Sequence, residues 1–303
     1  MVISQKYRLV VDKTNETEAI RLVYFFIGYI CANESKNVGN KLVIAPKYKP
    51  KGDAIRKAIK NFDLHEEILG AAERNIIKIV AIDGEKHTIK SFKVPNIINQ
   101  FVYRFFRKSK AQRSFEYANK LLQAEIETPF PVAYQINSTP FLFKKSYYVS
   151  KLVVCDLTYR ELTTDFEIED HEAILRAFTR FTYKLHENGI NFLDHSPGNT
   201  LIKRLKKGYD FYLVDLNRME FGKMDFETRI KNFAKLTIHK SMIKIMSNEY
   251  AKCSGEDEHA IFKLMWNSTV NFQDQFYRKI RLKKRIFFWK KKYKSRSSQS
   301  PIQ

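Results

Sequence analysis

Between residues 173 and 185 the apolar positions Ala173, Ile174, Phe178, Phe181 and Leu185 recur mostly three and four apart, which predicts a helix with one buried stripe. Asn188-Gly189 closes it, because glycine takes the left-handed conformation common just past a helix end. Thr200-Leu201-Ile202 then reads as a strand, Gly208 as a turn, and Phe211-Tyr212-Leu213-Val214 as a second strand with Asp215 at its end. Upstream, residues 75–82 alternate weakly and are rich in isoleucine. Asp83-Gly84 follows, a hairpin signal, since both central residues of the favoured turn need positive φ. Residues 87–92 form the returning strand, on which Thr88, Lys90 and Phe92 share one face while Ile89 and Ser91 take the other.

Ser109-Lys110-Ala111-Gln112 reads as a capping box. It opens a helix with the stripe Ala111, Phe115, Ala118, Leu121 and Leu122, ended by Thr128-Pro129. Extended pieces follow at 131–135, 141–143 and 147–152. Strands, one helix, more strands and then a mostly helical half predict an α+β chain, with a small β-rich lobe (41–150) hinged to an α-rich lobe (151–275). Residues 1–40 form an extension of unknown role, with Asn37-Val38-Gly39-Asn40 read as a turn. The apolar run at 22–32 is shorter than the ~20 residues a bilayer crossing needs; it reads as a buried helix, with a late signal anchor over residues 20–32 as the alternative. Residues 276–303 form a tail.

Asp194-His195-Ser196-Pro197-Gly198-Asn199 places a carboxylate and a carboxamide five positions apart on the loop after the predicted helix. With Asp215 behind the next strands, this is the layout of a phosphotransferase site. One acid orients and deprotonates a hydroxyl, while an amide and a second acid hold Mg²⁺. A lone D-x-x-x-x-N pair is equally a capped turn; the helix before it and the strand-borne acid after it favour the chemical reading. His195 is read as packing the loop or touching substrate, not as a proton relay, and Asn217 as a turn former. The other histidines show no metal-ligand spacing.

Length suits one two-lobed domain or two small ones, with an ample core. Cys31, Cys155 and Cys253 show neither disulfide pairing nor zinc spacing and read as thiols of a reducing compartment. The net charge of +21 changes the picture more. Arg278, Lys279, Arg281, Lys283, Lys284, Arg285, Lys290, Lys291, Lys292, Lys294 and Arg296 crowd one acid-free stretch, which implies a polyanionic partner. Phe276, Tyr277, Phe287, Phe288 and Trp289 are interleaved there. Rings among cations suit an anionic membrane surface, with nucleic acid as the disfavoured rival. The N-terminus lacks a signal-peptide apolar region directly behind its charges. The expected location is cytoplasmic, peripheral at the inner face of the inner membrane.

The runs Ile89-Lys90-Ser91-Phe92-Lys93, Arg107-Lys108-Ser109-Lys110-Ala111, Arg113-Ser114-Phe115-Glu116 and Thr128-Pro129-Phe130-Pro131 carry a resemblance, together with the Asp194–Asn199 loop and Val214-Asp215-Leu216-Asn217-Arg218. Over roughly residues 65 to 240 the chain resembles the lipopolysaccharide kinase family, the Kdo and heptose kinases of the protein-kinase-like superfamily. The resemblance implies ATP and Mg²⁺ as cofactors and a lipid-A-linked core sugar as acceptor. It makes Asp194 the catalytic base, Asn199 and Asp215 the metal ligands, Lys90 the lysine on the ATP phosphates and Glu116 its partner. Lys93 competes with Lys90 for the cleft.

Four departures from protein kinases stand out. Phe192-Leu193 replaces His-Arg before the catalytic Asp, which removes the grip on a phosphorylated activation loop. Ser196 stands where many protein kinases place lysine, which favours a non-protein acceptor. Leu216-Asn217 replaces Phe-Gly. There is no glycine-rich phosphate loop; Gly70 stands alone, with Arg74 or other basic residues to compensate. The rival readings are an atypical, RIO-like protein kinase and a pseudokinase scaffold.

Overall fold

The computed structural model of the chain describes residues 39–70 and 75–296. The expected helix at 22–32, Cys31 and Arg74 lie outside the described residues. In chain order the first lobe runs β1 (Gly39–Ile44), a 3₁₀ turn (Pro46–Lys51), α1 (Gly52–Lys60), a 3₁₀ turn (Phe62–Leu64), β2 (Asn75–Ile82), β3 (Glu85–Phe92), α2 (Ile97–Phe105), α3 (Lys110–Gln123), β4 (Pro131–Ser138) and β5 (Phe143–Lys151). The second lobe opens with β6 (Leu157–Thr158), α4 (Tyr159–Leu162), α5 (His171–Glu187), β7 (Ile190–Phe192), a 3₁₀ turn (Pro197–Asn199) and β8 (Thr200–Arg204). It continues with β9 (Tyr209–Leu213), β10 (Met219–Phe221), α6 (Phe226–Lys231), a 3₁₀ turn (Asn232–Lys235), α7 (Lys240–Ser254) and α8 (Glu258–Arg296). This is the expected α+β architecture, a small antiparallel-sheet lobe on a helical lobe.

The first lobe is one antiparallel sheet in the order β1-β4-β5-β3-β2. Asp83 and Gly84 make its β2–β3 turn at φ 48° and 79°, a two-residue loop with Ile82 opposite Glu85. Alternation along β3 sends Ile89 to the outer face, in register with Val149 and then Ala133, where Ile55, Ile59 and Phe62 close a core. Lys90 goes to the inner face, in register with Tyr148 and then Tyr134. There α3 covers the sheet through Phe115, whose ring centroid is 5.3 Å from that of Tyr134, with Ala111 and Phe92 beside it. Each face of the sheet thus carries a helix, and Lys90 shares its face with α3.

Several local expectations differ in detail. Gly39 and Asn40 are not a turn; they begin β1, opposite Ser138 and Asn137, because the ladder that β4 offers outweighs a local turn preference. Ser109 caps α3 by accepting the Gln112 N–H at 3.0 Å. The return half of the capping box is not made, because the Gln112 side chain turns to Glu116, one helical turn on. Of the piece expected at 141–143 only Phe143 is strand, the first residue of β5; residues 141 and 142 belong to the turn before it, closed by Thr139 N–H to Leu142 O at 2.9 Å, with Phe141 exposed.

In the second lobe the α5 stripe, Ile174, Leu175 and Phe178, packs on Met242, Ile243, Met246 and Tyr250 of α7 and on Ile261 and Met265 of α8. Gly189 closes α5 at φ 64°. The Gly222 amide bonds its carbonyl at 2.8 Å, and a Cβ on Gly189 would stand 2.5 Å from the Gly222 carbonyl oxygen. That close approach seats β7 against β10 and so fixes the start of the 193–199 loop. The boundary drawn at 275/276 falls inside α8, which packs through Phe272 and then runs on with Phe276, Tyr277 and Leu282 exposed. Among the described residues no helix is long and apolar enough to cross a membrane.

Candidate active site

The loop after β7 is held from below before it presents anything to the cleft. Asn232, on the 3₁₀ turn after α6, donates to Asn191 Oδ1 and to the Phe192 carbonyl, both at 2.9 Å, and its Oδ1 is 2.8 Å from His195 Nδ1. His195 is buried against Phe178, Phe192 and Phe233. Desolvation pushes its pKa down to about 4, so the ring is neutral near pH 7. It packs the loop, as its sequence position beside Asp194 suggested.

Asp194 therefore stands on a rigid support. Arg218 donates to its Oδ1 at 3.0 Å, and Lys235 Nζ lies 4.0 Å from the same atom while also bonding the Leu193 carbonyl. Oδ2 has no protein partner among the described residues. Asn199 donates its side-chain N–H to the Asp194 main-chain carbonyl at 2.8 Å, which fixes the loop and leaves its own amide oxygen as an acceptor. The Val214 N–H bonds the Asn199 carbonyl at 3.0 Å, tying the loop to the segment that carries Asp215.

Asp215 sits two residues beyond β9 at φ 59°, a left-handed conformation that aspartate tolerates better than most side chains. Its Oδ1 accepts from Asn217 Nδ2 at 2.5 Å and pairs with Lys90 Nζ at 2.8 Å. Asn217 is thus more than a turn former. The strand lysine, the strand-end aspartate and the loop Asp–Asn pair converge across the lobes, and Asp194 and Asp215 line one cleft of about 720 Å³. Lys90, only 13% exposed, is the lysine that reaches Asp215, while the Lys93 side chain is exposed on the cleft wall.

Glu116 is not brought in. The Lys90–Glu116 pair implied by the resemblance is not formed, because Lys108 at 2.7 Å and Gln112 at 2.9 Å take both carboxylate oxygens. Those hydrogen bonds hold its pKa below the usual value although burial works to raise it. Arg218 and Lys235 were not singled out in the sequence. Arg218 stood within a quoted run without a role, and no local signal marks Lys235, which meets the loop 42 residues along the chain from Leu193. Together they bring positive charge to the loop that carries Ser196 in place of lysine.

The residues present suit one Mg²⁺ held with help from nucleotide phosphates, namely one carboxylate (Asp215) and one free amide oxygen (Asn199). Among the described residues no three His, Cys, Asp or Glu side chains gather as an all-protein metal cage.

A five-stranded lobe with an inner-face lysine, set over a helical lobe whose loop carries Asp and Asn, defines the protein-kinase-like class. The chain belongs to the lipopolysaccharide kinase (Kdo/WaaP) family, whose model matches residues 86–257. Its fold is similar to a solved structure of WaaP in complex with acyl carrier protein, with a TM-score of 0.54 and 14% identity, covering 78% of this chain and 97% of that one. Among curated proteins none matches. Membership places the chain among kinases of lipopolysaccharide, a phosphotransferase family.

Proposed function

We propose that this protein transfers the γ-phosphoryl group of ATP to a sugar hydroxyl, of Kdo or heptose, on a lipid-A-linked inner core. The observation that carries this reading is the posture of Asp194. One carboxylate oxygen is held by Arg218 and Lys235, and the other is unpartnered in the cleft shared with the Lys90–Asp215 pair. In this reading Asp194 orients the acceptor hydroxyl and takes its proton. Lys90 binds nucleotide phosphates, and Asn199 and Asp215 hold Mg²⁺, which when bound neutralises phosphate charge. Arg218 and Lys235 keep Asp194 aligned and add positive charge where the phosphoryl oxygens pass. Glu116 serves α3 and not the nucleotide.

A protein acceptor is less well supported, since Ser196 and Leu193 provide neither the loop lysine nor the arginine that grips a phosphorylated activation loop. Association with an anionic membrane is supported by the distal part of α8, where Phe276, Tyr277 and Leu282 are exposed among Arg278, Lys279, Arg281, Lys283, Lys284 and Arg285. It is supported too by α2, which buries no residue and leaves Ile97 and Ile98 exposed. By likeness to the WaaP complex, an acyl carrier protein is a second candidate partner.

The test is transfer of labelled phosphate from ATP, with Mg²⁺, to de-acylated core oligosaccharides ending in Kdo or carrying heptose. Label in one of these sugars supports the reading and selects the acceptor. Label confined to the protein, or absent from both, overturns it.

A further inference from the structure

Among the described residues, the N-lobe wall of the cleft is cationic and carries no acid of its own. Lys93, Arg107, Lys110 and Arg113 line it opposite Asp194 and Asp215. From residue 93 to residue 115 the sequence contains no acid. The two carboxylates of the cleft are already engaged, Asp215 by Lys90 and Asp194 by Arg218. Glu116, the next acid on α3, is held by Lys108 and Gln112. Arg107 lies over the ring of Tyr103 at 5.4 Å. Arg113 is packed beside Arg107, and its Nε is enclosed with no hydrogen-bond partner. Burial, and then the Arg107 charge, pull the Arg113 pKa down, although Tyr103 works the other way.

Like charges gathered in a half-enclosed cleft repel, and an enclosed guanidinium N–H without an acceptor carries a desolvation cost. An anion in the cleft relieves both. Arginine suits a planar carboxylate or a phosphate, because its fork donates two parallel N–H bonds. The wall also shares its cleft with Asp194, where the acceptor hydroxyl has to stand for its proton to be taken.

We propose that Lys93, Arg107, Lys110 and Arg113 form an anion subsite for an acidic group of the acceptor itself, a phosphate or a sugar-acid carboxylate borne near the hydroxyl to be phosphorylated. The assignment to the acceptor rests on the kinase reading above. The subsite selects acidic sugars over neutral ones, and it leaves the nucleotide phosphates to Lys90 and Asp215 in the same cleft.

The test uses the full chain saturated with Mg²⁺ and a non-hydrolysable ATP analogue, titrated separately with inorganic phosphate and with free Kdo, a sugar acid, while Tm is read. At least one of the two is expected to raise Tm, and which one does so identifies the acidic group. Arg107→Gln with Arg113→Gln is expected to abolish the rise. Arg113→Lys is expected to retain part of it, and Lys207→Gln, an exposed hairpin residue, all of it. No rise with either anion, or a rise that the nucleotide analogue eliminates, overturns the proposal. The second result would assign the cations to the triphosphate.

This readout needs no turnover, so an absence of transfer to sugars would sink the kinase reading while leaving the anion subsite measurable. In the transfer assay the double Gln variant is expected to raise the acceptor KM about 10- to 100-fold with the KM for ATP unchanged. A rise in the KM for ATP alone overturns the assignment to the acceptor.

Discussion

Arg218 and Lys235 meet the same oxygen of Asp194 from two different segments, which fixes the carboxylate's rotation. In the proposed reaction Arg218 acts through Asp194, as a positioning residue. Arg218→Gln is therefore expected to lower kcat on the order of 10²-fold while the KM for ATP changes little. Arg218→Lys should restore part of the loss. Tm should barely move, since the arginine is more than half exposed and such ion pairs contribute about 1 kcal/mol or less. Steady-state kinetics on the three proteins decide it, and an unchanged kcat in the Gln variant would leave Arg218 without a role. The sequence carried Asp194, Asn199, Asp215 and Lys90 because each sits at a fixed spacing within one element or its adjoining loop. It did not carry Lys235, whose place depends on how the turn after α6 packs under the loop. It did not show that Glu116 would pair with Lys108 and Gln112 and not with Lys90, because a motif match does not weigh local competitors.

At the scale of elements, Asn232 ties α5, β7 and the 193–199 loop together through two buried histidines, His195 and His186. Burial pushes their pKa values from 6.5 to about 4 and about 3. In the unfolded chain both titrate near 6.5, so below that pH the unfolded state binds protons that the folded state refuses. Stability is then fully present above about pH 6.5 and falls as pH drops toward 4. Tm measured from pH 7.5 to 5 should decline, and the His186→Gln, His195→Gln double variant should flatten the decline. An identical slope in both proteins would remove the histidines from the account.

Gly189 is the other element-scale constraint. A side chain there meets the Gly222 carbonyl and needs a left-handed backbone. Gly189→Ala is expected to cost about 1–3 kcal/mol by denaturant unfolding and to depress transfer with it. A stability within error of wild type would show that β7 and β10 tolerate the displacement. The helix stop at Asn188-Gly189 was legible in the sequence. The three-residue strands β7 and β10 were not, because they are too short to show a period.

Across the whole molecule, the proposed chemistry and the proposed membrane attachment occupy different places. The cleft lies between the lobes, whereas α8 packs on the helical lobe through Ile261 and Met265, reaches Lys235 with Phe272, and carries its cations beyond. Truncation before Arg278 is expected to release the protein from anionic vesicles and to spare transfer to a soluble sugar acceptor. Salt should release the full-length protein only in part, since the rings add apolar insertion to Coulombic attraction. Flotation with anionic and neutral vesicles reads this out, and equal flotation of the two proteins would remove the membrane role. The two-lobed plan was legible from the alternation of strand and helix patterns. The exposed apolar positions of α2 were not, since nothing in their spacing marks them as unburied.

The central claim is that this cleft phosphorylates the lipopolysaccharide core through Asp194. Its most direct measurement is mass spectrometry of lipid A–core from cells lacking the protein, complemented either with wild type or with Asp194→Asn. The account predicts one additional phosphate on a core sugar with wild type and none with Asp194→Asn, although the variant folds and binds Mg²⁺·ATP as wild type does. The same phosphorylated core from both strains, or an unmodified core from both, would contradict it.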